Sequence, residues 1–340
     1  EIGGLRTGDV IERIDGRSTM RMPISEATRR IQGDEGTQVS MAVRRGDELV
    51  DLALTRQRLV IPNVSYRVLE GNIGYLAISH ISQRTVHNLV GAVEELRKLG
   101  ALTIGLVIDL RGNTGGSMKE AARSADEFLD DGLLLRTVGP DGQRVQNLQA
   151  EMHATANGTE PDVPIVVVVD ERTASGSEIM AGALLELHRA AIVGTRTYGK
   201  GTVQKIYNLD DNTRLKLTVA QYVLANDRVI ADQGIVPDVV VGRVELDGYG
   251  VRFHGWDESF IRTPWADVLP WVVEDEQWRG LKQDKVDLPL ELARRAVASA
   301  QGSAREPVLA ALQSAARSVR VEQEGHLTSA LEHRGLNWSA

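Results

Sequence analysis

The sequence predicts a soluble α/β protein, and three observations carry that prediction. Two short, almost wholly apolar runs, LTIGLVIDL (102–110) and VPIVVVVD (163–170), have strand length, and each leads into a helix-like pattern. The 340 residues suffice for two or three domains with a well-buried core, and the 42% hydrophobic and 25% charged content is ordinary for a globular chain. No apolar run approaches membrane-span length. The formal net charge of -8 argues against nucleic acid or an anionic membrane as main partner. The absence of cysteine excludes disulfides, thiol nucleophiles and thiolate metal sites, and fits an oxidising compartment.

Three blocks are expected. In residues 1–56, DVIERIDG alternates as a strand, ISEATRRIQG (24–33) reads as a short helix ended by Gly33, and VSMAVRRGDELVDLALTR reads as a hairpin turning at Gly46-Asp47. In residues 57–245, YRVLE and IGYLAIS read as strands. TVHNLVGAVEELRKLG (85–100) is an amphipathic helix stopped by Gly100, and SMKEAARSADEFL is a second helix. AAIVG, TVQKIYNL and RLKLTVAQYVL complete the block as strands, the last two joined by the turn DDNT. Residues 246–340 are expected to form a helical region, from LELARRAVASA and a longer helix capped by Gly335. Ahead of these, Trp256, Trp265, Trp271, Trp278, Phe253 and Phe260 cluster as a packed seam or oligomer contact.

Chemistry is expected in three loops that follow buried strands, where α/β sheets gather their sites. LRGNTGG (110–116) places bare backbone N–H groups near a helix start, which suits a phosphate or an oxyanion, or simply a tight turn. ERTASGSEIMAGALLELH (171–188) crowds Thr173, Ser175 and Ser177 before a helix. Ser175 and Glu178 have the spacing of a capping box, so this stretch reads equally as a helix start. GTRTYGKGTVQ (194–204) sets Lys200 between two glycines. A nucleotide-binding P-loop is disfavoured, because Gly201 stands where Ser or Thr should follow the lysine, and TVQKIYNL alternates as a strand instead of entering a helix. A serine nucleophile needs a base, and His80, His87 and His188 lie outside the glycine-rich loops; His188 reads as a left-handed helix cap. A lysine can serve if desolvation lowers its pKa. Gln204, four residues on, would share a strand face with Lys200 and could orient its amine. The plain alternatives are an exposed loop lysine and a solvent-facing glutamine.

Together these segments resemble the carboxyl-terminal processing, or tail-specific, proteases, a PDZ-containing Ser/Lys serine peptidase family. The order GL-x-x-GD, strand, helix, hairpin resembles a bacterial PDZ module, a peptide-binding unit, whose N-terminal part would precede residue 1. LRGNTGG, TASGSEIMAGAL, GKGTVQ and GIVPDVVV (234–241) are similar to the family's motifs, as are the 25 residues from Ser175 to Lys200 and the further four to Gln204. The resemblance implies a crotonase- or ClpP-like core, with Ser175 as nucleophile, Lys200 as general base and Gln204 as its orienting partner. It also implies an oxyanion hole from Gly115, Gly116 and Gly176, and no metal or cofactor. Gly176 stands where the family usually has alanine, His188 replaces a common glycine, and Glu186 stands where some members use an aspartate.

The expected activity is endoproteolysis near C-termini by acyl transfer, on polypeptides with accessible tails. A bacterial periplasmic or otherwise extracytoplasmic setting follows from the same resemblance, with the targeting segment expected outside this sequence. The C-terminal helical region is a candidate homo-oligomer surface. The rival reading is a catalytically silent scaffold that captures peptide tails through its PDZ block.

Overall fold

A computed structural model of the chain describes residues 4–6, 8–57, 62–139, 142, 151–156, 158, 160–209, 213–247, 250–254, 268–274 and 287–332. Contacts divide it into two compact units, residues 1–61 and 62–340.

The first unit contains β1 (Val10–Ile14), β2 (Arg17–Ser18), α1 (Ile24–Ile31), β3 (Gln38–Arg45) and β4 (Glu48–Thr55), with the sheet order β2-β1-β3-β4. The β3–β4 hairpin turns at Gly46-Asp47, as its alternation predicts. Ile14, Val39, Met41 and Val43 are its buried core.

The second unit is built on a sheet of eight described strands. These are β5 (Val64–Leu69), β6 (Ile73–Ile78), β7 (Leu106–Asp109), β10 (Ile165–Val169), β11 (Ala191–Gly194), β14 (Val239–Asp247), β15 (Gly250–His254) and β16 (Val268–Glu274). From β6 through β7, β10 and β11 to β14 every pairing is parallel. Successive residues of the inner strands therefore face opposite layers, and both layers are covered. Leu106, Ile108, Ile165, Val167, Val169 and Ile192 join one core with α2 (Thr85–Lys98), α3 (Met118–Asp126) and α4 (Gly176–Glu186). Val107, Val166, Val168, Ala191 and Val193 join another with α5 (Leu288–Ser299) and α6 (Arg305–Glu332). The apolar runs seen in the sequence are apolar because both faces are buried.

Two features depart from the expectation. The block 246–340 is not helical throughout: β15 and β16 lie in it and pair with β14, while α5 and α6 turn their apolar faces onto the sheet. A second sheet, order β12-β13-β8-β9, joins β12 (Thr202–Asn208) and β13 (Arg214–Val223) to β8 (Leu133–Val138) and β9 (Glu151–His153), and neither β8 nor β9 is marked by the sequence pattern. Of the expected aromatic seam, Trp271 packs against the α5–α6 core; Trp256, Trp265, Trp278 and Phe260 lie outside the described residues, as do Gly335 and most of the DDNT turn.

If α5 is part of this core, Leu292→Ala, at a site with no exposure, should cost about 2–5 kcal/mol in urea denaturation. Val321→Ala, at an 81% exposed site on α6, should stay within about 0.5 kcal/mol.

Candidate active site

The three hydroxyls ahead of α4 have different surroundings. Thr173 is fully buried, and its Oγ1 donates to the Leu110 carbonyl at 2.9 Å. Ser177 is equally buried, and its Oγ donates to the carbonyls of Asn113 at 2.6 Å and Ala174 at 2.7 Å. Both tie backbone to backbone. Ser175 keeps 9% exposure and sits between β10 and α4 at φ 58°, ψ -119°. A non-glycine residue there stores about 1–3 kcal/mol of strain, and a strained strand-to-helix turn is a way to present a nucleophile.

Glu178 holds that turn. It is fully buried, one turn into α4. Its Oε2 accepts from the backbone N of Ser175 at 2.7 Å and of Lys200 at 2.8 Å. Its Oε1 accepts from Gly199 N at 2.7 Å and Thr197 Oγ1 at 2.5 Å. The sequence reading of Glu178 as a capping residue captures the bond to Ser175 N; the three bonds to residues 197–200 had no local signal.

The LRGNTGG turn lies against the serine. A Cβ on Gly115 would stand 2.5 Å from the Ala174 carbonyl oxygen and 2.8 Å from Ser175 Cβ; one on Gly116 would stand 1.8 Å from the Ile81 carbonyl oxygen. Only glycine permits this approach. Gly116 N in turn lies 3.3 Å from where a Gly176 Cβ would stand. Asn113, fully buried, organises the turn. Its Nδ2 donates to the Ile78 carbonyl, and its own carbonyl accepts from Ala174 N. Its Oδ1 accepts from Gly115 N at 2.9 Å. The Gly115 N–H is thus engaged within the turn in the free protein.

Lys200 and Gln204 also differ from expectation. The Lys200 backbone is pinned by Glu178, but its side chain is exposed, not desolvated. Lys200 precedes β12, and a bulge between Val203 and Gln204 breaks the alternation that was to put both residues on one face. Gln204 is exposed opposite Thr218. β12 is a strand, which accords with the reading against a P-loop. Glu186 stands at the far end of α4, about 15 Å of helix from Ser175. There its Oε2 and carbonyl accept from Asn226 Nδ2. His188 is the left-handed cap its position suggests, at φ 56°.

The fold and this turn define an α/β core carrying a strained serine, preceded in sequence by a small β-rich module. The profile of "Peptidase family S41" matches residues 72–241, and that of "PDZ domain" matches residues 1–45. The chain belongs to peptidase family S41. It is 36% identical to a carboxy-terminal-processing protease of Bartonella bacilliformis, over 70% of this chain and 55% of that protein. It is 34% identical to the carboxy-terminal processing protease CtpA of Bacillus subtilis, over 73% of this chain and 52% of that protein. The chain thus spans about half the length of these curated relatives. A solved structure titled photosystem II D1 C-terminal processing protease aligns at 30% identity and a TM-score of 0.47, covering 70% of this chain and 64% of its own. Among the described residues no helix is long and apolar enough to cross a membrane.

Glu178→Gln tests the pin. The amide nearly matches the carboxylate in shape but turns an NH2 group towards a pair of N–H or O–H donors. It should destabilise the protein by about 2–4 kcal/mol in guanidinium denaturation. Amide exchange at Ser175 and Lys200 should quicken with it; wild-type stability and exchange would show that the carboxylate does not hold these loops.

Proposed function

We propose that the chain is a serine endopeptidase that cleaves polypeptides near their C-termini. The observation that carries this reading is that one buried carboxylate, that of Glu178, binds the backbone N–H groups of both Ser175 and Lys200. Two residues 25 positions apart are thereby locked to one point, as a two-residue catalytic device requires.

Ser175 Oγ attacks the scissile carbonyl carbon while its proton passes to a neutral Lys200 Nζ. The negative charge on the carbonyl oxygen is met by the backbone N–H groups of Gly116 and Gly176, aided by the N-terminal end of α4. Collapse breaks the C–N bond, and Lys200 returns the proton to the leaving amine. Water, deprotonated by Lys200, then attacks the acyl carbon, and Lys200 returns that proton to Ser175 Oγ as the ester C–O bond breaks. The orienting role of Gln204 rests on the family resemblance alone, since the bulge before it removes the shared strand face. Lys200 is exposed in the free protein, and a polypeptide bound at Ser175 would lie across it.

The substrates in this reading are polypeptides with accessible C-terminal tails, offered by the PDZ-like unit. The setting is extracytoplasmic and bacterial, in keeping with the cysteine-free composition. Self-association through 246–340 would have to use surface other than the apolar faces of α5 and α6 that cover the sheet.

Ser175→Ala and Lys200→Ala should each abolish hydrolysis of an unstructured peptide, with thermal midpoints close to wild type. A fluorophosphonate probe should label the wild type at Ser175. Wild-type cleavage by Lys200→Ala would remove the lysine from the mechanism, and an unlabelled Ser175 in a protein that still binds peptide tails would favour the silent scaffold.

A further inference from the structure

α5 opens with Asp287, which lies outside the residues matched by the peptidase profile. As N-cap it accepts from Leu290 N at 3.3 Å, a task that needs one carboxylate oxygen. Yet both oxygens also meet Arg111, with Nη1 donating to Oδ1 and Nη2 to Oδ2, each at 2.8 Å. This is the paired fork geometry in which an arginine is held in orientation as well as in place.

The rest of the guanidinium faces Asp109, at the end of β7, with Nη2 donating to Oδ2 at 2.6 Å and Nε to Oδ1 at 3.0 Å. Asp109 also accepts from the backbone N of Arg111 at 3.0 Å and from Tyr75 Oη at 2.8 Å. Burial and the Asp109 carboxylate push the Tyr75 phenol well above its ordinary pKa, so it remains a donor. Arg111 is thus clamped between a strand end and a helix start.

Arg111 is also the first residue of the turn that reaches the nucleophile. Gly112 N donates to Asp170 Oδ1 at 2.8 Å, Asn113 binds Gly115 N, and Gly116 follows beside Gly176. A displacement of Arg111 therefore moves the start of the segment that carries the proposed Gly116 donor.

We propose that Asp287 is a positioning residue that sets the oxyanion turn, residues 112–116, through its two-pronged ion pair with Arg111. This rests on the peptidase reading. The C-terminal segment then serves catalysis as well as stability: α5 covers the sheet with its apolar face, and its N-cap braces the oxyanion turn.

Asp287→Asn separates the two tasks of this side chain, because asparagine caps a helix as well as aspartate does but carries no charge for Arg111. The variant should lower kcat about tenfold with KM within about twofold. It should weaken inhibition by a peptide aldehyde, whose hemiacetal oxygen occupies the oxyanion hole, by a similar factor. Amide exchange over 112–116 should quicken, while the thermal midpoint moves little. Asp287→Ala should show the same kinetic loss plus a lower midpoint from the missing cap, and Asp287→Glu should recover part of kcat. Wild-type kcat, aldehyde affinity and exchange in Asp287→Asn, with Ser175→Ala inactive, would overturn the proposal and leave the peptidase reading standing. A wild type showing no Ser175-dependent hydrolysis would overturn the peptidase reading and the catalytic role of Asp287 with it, and the exchange rates would still show whether Asp287 braces the turn.

Discussion

A carboxylate buried without partners is among the costlier groups a protein can hold, and Glu178 is buried completely. What makes it tolerable is a set of four donors, and those donors determine the site. One is the N–H of the strained Ser175, and two are the N–H groups of Gly199 and Lys200. The fourth, Thr197 Oγ1, accepts in turn from Ile235 N at 2.7 Å, which carries the constraint into the loop before β14. Remove the carboxylate and each of these groups must find another acceptor around a fully buried position. The close packing around the lysine follows from the same demand. A Cβ on Gly201 would stand 2.2 Å from Ala231 N, and one on Gly234 2.4 Å from the Thr197 carbonyl oxygen. The loops touch backbone to backbone because the carboxylate draws them together.

Much of the fold was legible because the signals were local. β7 and β10 announce themselves as unbroken apolar runs, since both faces of the sheet are covered. Gly46-Asp47 and Gly100 mark a hairpin and a helix end by their backbone freedom, with φ 60° and 70° at the two glycines. β8 gave no such sign. LLLRTV is apolar without clean alternation, and its place is set by pairing with β13, about eighty residues further on. β16 likewise takes its place beside β14, and the aromatic-rich segment around it gave no period to read.

The site was legible in its residue types and less so in its geometry. Ser175 stood out by its spacing to Lys200; in the structure the hydroxyls of Thr173 and Ser177 are engaged with main-chain carbonyls. The same-face argument for Lys200 and Gln204 assumed a regular strand, and one bulge was enough to undo it. At Gly115 the sequence could not show that Asn113 engages its N–H or how closely it approaches Ser175. Asp287 could not be singled out at all. It looks like any helix cap, and its partner lies 176 residues away.

The starts of α5 and α6 show one pattern twice. Asp287 opens α5 and grips Arg111 at the end of β7. Arg305 opens α6 and pairs with Asp238, whose other oxygen accepts from Ile192 N in β11. Its own backbone N donates to the His188 carbonyl, just past the end of α4. An apolar face alone would let a helix pair slide along a sheet, since hydrophobic contact has little directional preference. Two charged contacts at two helix starts fix the register of that layer against the strands whose ends carry the loops of the site. The backbone around Ser175 is therefore held from both sides of the sheet, by Glu178 within one layer and by Arg111 and Asp287 from the other. Lys200 itself is exposed, on a pinned main chain. On the proposed Ser/Lys mechanism, competence would then turn on what covers Lys200 rather than on assembling the backbone around it.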